Sequence, residues 1–146
     1  RYGPASFDLV VSNPPYQRVG AGKINPDPIK ALARHELACS LEDVVRVGAR
    51  LLKLRGRLAL VHRPQRLEEI FEYFHAFGLT ASRLRLVHPR ADRRPNLVLI
   101  EGEKQGQSEL TVLPPLVVYT PDGGYTEEIN RIYFGDKRGE KADEPA

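Results

Sequence analysis

Apolar positions along the chain follow two rhythms, and the places where one gives way to the other mark the elements. Phe7-Asp8-Leu9-Val10-Val11 is a short apolar run that ends on Asn13-Pro14-Pro15-Tyr16. The run predicts a strand. The two prolines remove two backbone donors, fix φ, and push the residue before each toward extended geometry. Neither a central strand nor an ordinary helix can follow, so a stiff turn is expected at the strand's carboxyl end. Residues 17–27, with Gly20, Gly22, Lys23 and Pro26, then read as a loop. Residues 29–38 read as a short helix. Ser40 reads as an N-cap, with Asp43 three residues on as a variant capping box. Leu41, Val44, Val45, Gly48, Leu51 and Leu52 recur at helical steps, and Gly56 is expected to close that helix.

The second half repeats the alternation. Residues 58–61 predict a strand stopped by Pro64. Leu67, Ile70, Phe71, Phe74 and Phe77 form a helical stripe read as core and closed by Gly78. Residues 83–87 alternate charged and apolar, as a half-exposed strand does, and residues 96–101 are nearly all apolar, as a buried one is. The short loop over residues 88–95 suits an antiparallel return. A further extended stretch over residues 110–118 is broken by Pro114 and Pro115. Asp122-Gly123-Gly124 then marks a turn, and residues 126–133 a last helix.

Strand, helix, strand, helix and a strand pair point to an open α/β sheet. The expected architecture is mostly parallel, with flanking helices and an antiparallel final strand pair. Residues 1–136 are read as one unit and residues 137–146 as a frayed, disordered tail. In such sheets ligands sit beyond the carboxyl ends of the strands, where Asn13 to Tyr16 falls.

Composition narrows the classes. The chain has 146 residues, 41% hydrophobic and 28% charged, which suits a globular domain with a real core. Net charge is +3 and pI about 9.1, so a polyanionic partner is allowed without being required. Cys39 is the only cysteine, which excludes an intrachain disulfide and favours a reducing, cytoplasmic setting. It is read as a small packed residue. No apolar run approaches the ~20 residues a membrane-spanning helix needs, so no membrane association is expected. His62 and His88 sit at strand ends without a cluster at metal spacing, so they are read as structural and no metal is expected. The chain opens on Arg1-Tyr2-Gly3-Pro4 and enters a strand at once, which suggests that a segment is missing upstream.

The Asn13 to Tyr16 turn carries the chemistry. The exocyclic amine of adenine is a poor nucleophile because its lone pair is delocalised into the ring. Moving a methyl group onto it calls for acceptors that localise and aim that lone pair. The Asn13 side-chain carbonyl can be one acceptor and the Pro14 main-chain carbonyl, held still by Pro15, the other. Tyr16 can stack on a base taken out of its own stack. Positioning and preorganised dipoles suffice, with no strong general base.

Asn13-Pro14-Pro15-Tyr16, after its apolar strand, resembles motif IV of the class I amino-methyltransferases that use S-adenosylmethionine. Ala33-Arg34-His35-Glu36, Ser40-Leu41-Glu42-Asp43-Val44, Leu60-Val61-His62-Arg63-Pro64 and the stretch from Leu113-Pro114-Pro115-Leu116 to Tyr125-Thr126-Glu127-Glu128 extend the likeness to the bacterial tRNA1(Val) adenine-N6 methyltransferases. That resemblance implies a Rossmann-like fold, S-adenosylmethionine as cofactor, tRNA as partner, and N6 of an anticodon-loop adenine as acceptor. It also implies catalytic roles for Asn13, Pro14, Pro15 and Tyr16, with Asn13 next to the cofactor. The family's Gly-rich cofactor loop stands upstream of this motif, and only twelve residues precede Asn13 here. The chain therefore resembles the C-terminal portion of such an enzyme and is expected to be inactive by itself. Unpaired sheet edges on such a portion also imply self-association.

Basic residues could serve the RNA. Lys23, Lys30, Arg34 and His35 fit phosphate contacts beside the turn and fit a solvated face as well. Arg83, Arg85, Arg90, Arg93 and Arg94 form the densest cluster. Arg90, Arg93 and Arg94 are read as phosphate contacts, and the strand arginines as solubilising edge charges. Two other readings remain: methylation of a protein glutamine amide, which fits the same acceptors, and a non-catalytic module that binds RNA or a partner chain.

Overall fold

The computed structural model describes residues 4–13 and 40–135. The helix expected over residues 29–38, the loop over residues 17–27, Cys39 and the tail over residues 137–146 lie outside the described residues. The described elements, in chain order, begin with β1 (Phe7–Ser12), α1 (Leu41–Leu51) and β2 (Leu52–His62). A 3-10 turn at Pro64–Arg66 leads into α2 (Leu67–Ala76), β3 (Leu79–His88) and β4 (Leu97–Lys104). Two short strands, β5 (Thr111–Val112) and β6 (Leu116–Val117), precede α3 (Glu127–Phe134).

The strands form one mixed sheet in the order β1-β2-β4-β3-β5, with β6 also on β3. Pairings β1–β2, β3–β5 and β3–β6 are parallel, and the two made by β4 are antiparallel. The expected return over residues 88–95 is therefore present, and it inserts β4 between β2 and β3. As a result β1, β2 and β3 all run in one direction. Their carboxyl ends, at Ser12, His62 and His88, share one edge of the sheet.

Alternation decides the faces. Leu58 and Leu60 of β2, Leu84 of β3, and Val98 and Ile100 of β4 point to one side and are buried. There they meet Leu41, Val45 and Ala49 of α1 and Ile70 and Phe74 of α2. Gly102 lies on that face opposite Leu58 and Ala81. A Cβ on Gly102 would stand 2.7 Å from the Phe74 ring, so the ring lies flat on a glycine-made recess. On the opposite face, Val87, Leu116 and Ile129 form a second small core that docks α3 near the carboxyl edge.

Two expectations need correction. Gly56 does not close α1. That helix ends at Leu51, and the Leu52 N–H caps it on the Gly48 carbonyl. The chain then enters β2, whose pairing with β1 jumps from Phe7↔Leu52 to Leu9↔Arg57. The extra residues bulge out, with Arg55 at φ 67°. Gly56 sits where the turn returns to the ladder, and a Cβ there would meet the Lys53 carbonyl at 2.9 Å and the Asp8 carbonyl at 3.1 Å. Its turn signal is real but belongs inside the strand. In the aromatic stripe of α2, Phe74 is core and Phe77 packs against it, whereas Phe71 is exposed.

Candidate functional site

The carboxyl edge of β1, β2 and β3 gathers the residues with chemistry. β1 ends on Ser12, paired with Leu60, and Asn13 follows as the first residue beyond the ladder. Parallel pairing with β2 fixes the direction in which the chain leaves the sheet. Of the residues expected to act on the base, Asn13 is described and exposed. Pro14, Pro15 and Tyr16 lie outside the described residues, as do Lys23, Lys30, Arg34 and His35 among the expected RNA contacts.

Beside Asn13's strand, β2 closes on His62, which is buried. Its Nδ1 accepts the Arg63 N–H at 2.9 Å, which leaves the proton of the neutral ring on Nε2. Burial pushes its pKa down, the positive charges of Arg66 and Arg63 push the same way, and Glu69 opposes them. His62 is thus a neutral imidazole held inside the edge, as expected of a structural histidine. Arg66 faces Glu69 through two hydrogen bonds of 2.9 and 2.7 Å, so its charge is locally balanced.

At the far side of the edge, β3 ends on His88. The His88 Nδ1–H donates to the Arg93 carbonyl at 2.7 Å and folds residues 88–93 into a tight loop. Arg90, Arg93 and Arg94 are exposed on that loop and line a shallow concavity with Pro89, Asp92 and Tyr119. The strand arginines are engaged differently. Arg83 makes a two-pronged pair with Glu101 at 2.6 and 3.0 Å, which holds the Glu101 carboxyl below its usual range. Arg85 bonds the Pro114 carbonyl at 2.9 Å and Glu128 at 2.6 Å, tying β3 to α3. The reading of Arg83 and Arg85 as edge charges needs correction: β3 is flanked by β4 on one side and by β5 and β6 on the other, and both arginines tie elements together.

The sequence reading missed one feature. Tyr119 and Tyr125 lie across a hairpin closed by Asp122-Gly123-Gly124, with their rings stacked at 5.5 Å and 15°. Tyr133 of α3 continues the row at 5.9 Å from Tyr125. The signal was available: Tyr119 and Tyr125 stand three residues either side of Asp122, as cross-strand neighbours do.

Among the described residues no group of His, Cys, Asp and Glu could hold a metal, and no helix is long and apolar enough to cross a membrane.

No protein-family model matches the chain. Among solved structures it resembles a predicted O-methyltransferase from Agrobacterium tumefaciens with a TM-score of 0.69 at 23% identity, over 91% of this chain and 53% of that one. The fold is therefore the Rossmann-like fold of the methyltransferases. In sequence the chain is 31% identical over 133 residues to the tRNA1(Val) (adenine(37)-N6)-methyltransferase of Porphyromonas gingivalis, covering 89% of this chain and 51% of that enzyme. The enzyme of the same name from Aeromonas hydrophila is 33% identical over 132 residues, 90% of this chain and 54% of the relative. The chain is homologous to these enzymes and spans about half the length of each.

Proposed function

We propose that the protein carrying this chain transfers a methyl group from S-adenosylmethionine to N6 of an adenine in tRNA, and that this chain supplies the base-binding side of the site. The observation that supports this most is the placement of Asn13. It leaves a parallel strand at the carboxyl edge of a methyltransferase-type sheet, directly before Pro14-Pro15-Tyr16. Relatives at 31% and 33% identity carry the name of that activity.

In this reading the Asn13 side-chain carbonyl and the Pro14 main-chain carbonyl accept hydrogen bonds from the adenine amine. Their dipoles localise its lone pair and aim it along one line, while Tyr16 stacks on the ring. S-adenosylmethionine supplies the electrophilic methyl group. With that methyl group bound opposite, the amine nitrogen held by Asn13 and Pro14 would accept it, S-adenosylhomocysteine would leave, and the amine proton would pass to water. The cytoplasm is the compartment where tRNA meets such an enzyme.

The test is labelled methyl transfer to total tRNA by the protein in its full natural length. Asn13→Ala is expected to lower kcat by at least about a hundredfold, in line with the loss of one preorganised polar contact to a transition state. Transfer at the wild-type rate would sink the assignment, and transfer to ribosomal or release-factor protein in place of tRNA would move it to glutamine amides.

A further inference from the structure

We propose that Tyr119, Tyr125 and Tyr133, with Arg90, Arg93 and Arg94, form a platform on which unpaired bases flanking the target adenine stack. The proposal rests on the reading of the carboxyl edge as an RNA methylation site, and extends it to a surface away from Asn13.

Five observations converge. Tyr119, Tyr125 and Tyr133 are 41%, 43% and 67% exposed, although aromatic rings usually carry their area into a core. They are arranged in series, Tyr119 stacked on Tyr125 at 5.5 Å and Tyr133 tilted against Tyr125 by 36° at 5.9 Å, so their rings line one path. Tyr119 also lines the same concavity as Arg90, Arg93 and Arg94, so the Tyr119 end of the row shares a surface with the cations.

The fourth observation is charge. Arg55, Arg57, Arg66, Arg83 and Arg85 each face a carboxylate. Arg90, Arg93 and Arg94 make no ion pair among the described residues, and Asp92 is the one acid in their loop. Asp122, in the turn of the tyrosine hairpin, accepts the Thr120 hydroxyl, and Glu128 is paired with Arg85. The loop beside Tyr119 therefore sets three arginines against the one carboxylate of Asp92. Rings beside unpaired guanidinium groups suit a strand of phosphates and bases.

The fifth is rigidity and place. The arginine loop is pinned by the His88–Arg93 bond and by the Asn96 N–H on the Val87 carbonyl at 2.9 Å. The tyrosine hairpin is pinned to the same strand end, through the Val118 N–H on His88 at 2.9 Å and the Tyr119 N–H on Pro89 at 2.8 Å. Both leave the carboxyl edge that Asn13 leaves, three strand positions away. At ~4.8 Å per strand that is roughly 14 Å, a distance a few extended nucleotides bridge.

The experiment uses the full-length protein and a labelled RNA hairpin with an adenine in its unpaired loop. Fluorescence anisotropy gives Kd, and methyl transfer gives kcat and KM. Tyr119→Ala and Tyr133→Ala are each expected to weaken binding by roughly 5- to 100-fold, raising KM while kcat at saturating RNA stays put. Tyr119→Phe and Tyr133→Phe keep the ring and are expected to bind within about twofold of wild type. Arg93→Gln with Arg94→Gln is expected to flatten the salt dependence of Kd. 2-Aminopurine placed beside the target adenine is expected to be quenched by wild type and not by Tyr119→Ala. A Tyr119→Ala/Tyr133→Ala double variant that keeps the wild-type melting temperature and binds within twofold would overturn the proposal. So would equal damage from the Phe variants. Asn13→Ala is expected to lose methyl transfer while the quenching of 2-aminopurine by the tyrosine row persists. If the wild type methylates no RNA, the methylation reading fails by itself and the anisotropy still decides the platform.

Discussion

Gly102 and His62 show how single positions constrain this sheet. The Phe74 ring fills the space where a Gly102 side chain would go, with ring atoms 2.7 to 3.1 Å from the missing Cβ. Phe74 is buried against both helices and the sheet, so it cannot swing aside cheaply. Gly102→Ala is expected to destabilise the fold by about 1–3 kcal/mol through overpacking, and adding Phe74→Leu is expected to recover part of it in urea melts. His62 acts through charge. Its folded pKa lies below the ordinary value near 6.5 because burial and Arg66 disfavour the imidazolium. The unfolded chain therefore takes up a proton first as pH falls. Stability is full above about 6.5 and declines as pH drops from there toward the folded pKa. Glu101 and Glu128, held low by Arg83 and Arg85, lose their contributions only below their ordinary carboxylate range, so the two windows separate. Melting curves of wild type and His62→Phe between pH 7 and about 5 check this: the variant's slope is expected to be the flatter.

At the scale of elements, caps and periodicity were legible and the junctions between elements were not. The Ser40–Asp43 capping box is present in both directions, Asp43 N–H to Ser40 Oγ at 3.1 Å and Ser40 N–H to Asp43 Oδ2 at 3.3 Å. Ser40→Ala is expected to cost about 1 kcal/mol, seen as a lower urea midpoint. Gly78 at φ 76° closes α2 and Gly123 at φ 95° closes the hairpin, so turn chemistry read in sequence was turn chemistry in space. Gly56 was misplaced because a glycine after a helical run signals a close backbone approach without saying which element approaches. The approaching atoms were the Lys53 carbonyl of its own turn and the Asp8 carbonyl of β1, the latter 48 residues away, where no local pattern names it. The same limit hid the tyrosine row. Tyr119 and Tyr125 are near neighbours in sequence, but Tyr133 joins them only because α3 docks through Ile129 onto Val87 and Leu116. The strand that ends before Asn13, by contrast, was legible because its apolar run is local, falling within six consecutive residues.

For the molecule as a whole, the two faces of the sheet differ in how they are covered. The Leu58–Val98–Ile100 face lies under α1 and α2. The other face carries α3 only near the carboxyl edge and leaves Leu9 and Val11 of β1 55% and 67% exposed. Beside Val11, a cleft of about 330 Å³ runs along Ala59, Val61, Leu99 and Leu113, bordered by the Arg83–Glu101 pair. Among the described residues β1 is also the end of the strand order. Two exposed apolar side chains on the last described strand of the order favour burial against a second copy. The 146-residue chain, expressed by itself, is therefore expected to self-associate reversibly. Light scattering should show an apparent mass above that of one chain, rising with concentration. Leu9→Lys with Val11→Lys places charge on the face and edge without touching Val10, which packs into the core from the opposite side. That variant is expected to shift the mass toward the monomer while the far-UV spectrum stays unchanged. A wild-type chain that stays a strict monomer at every concentration would refute self-association. A lysine variant that stays as large as wild type would place the contact elsewhere than β1.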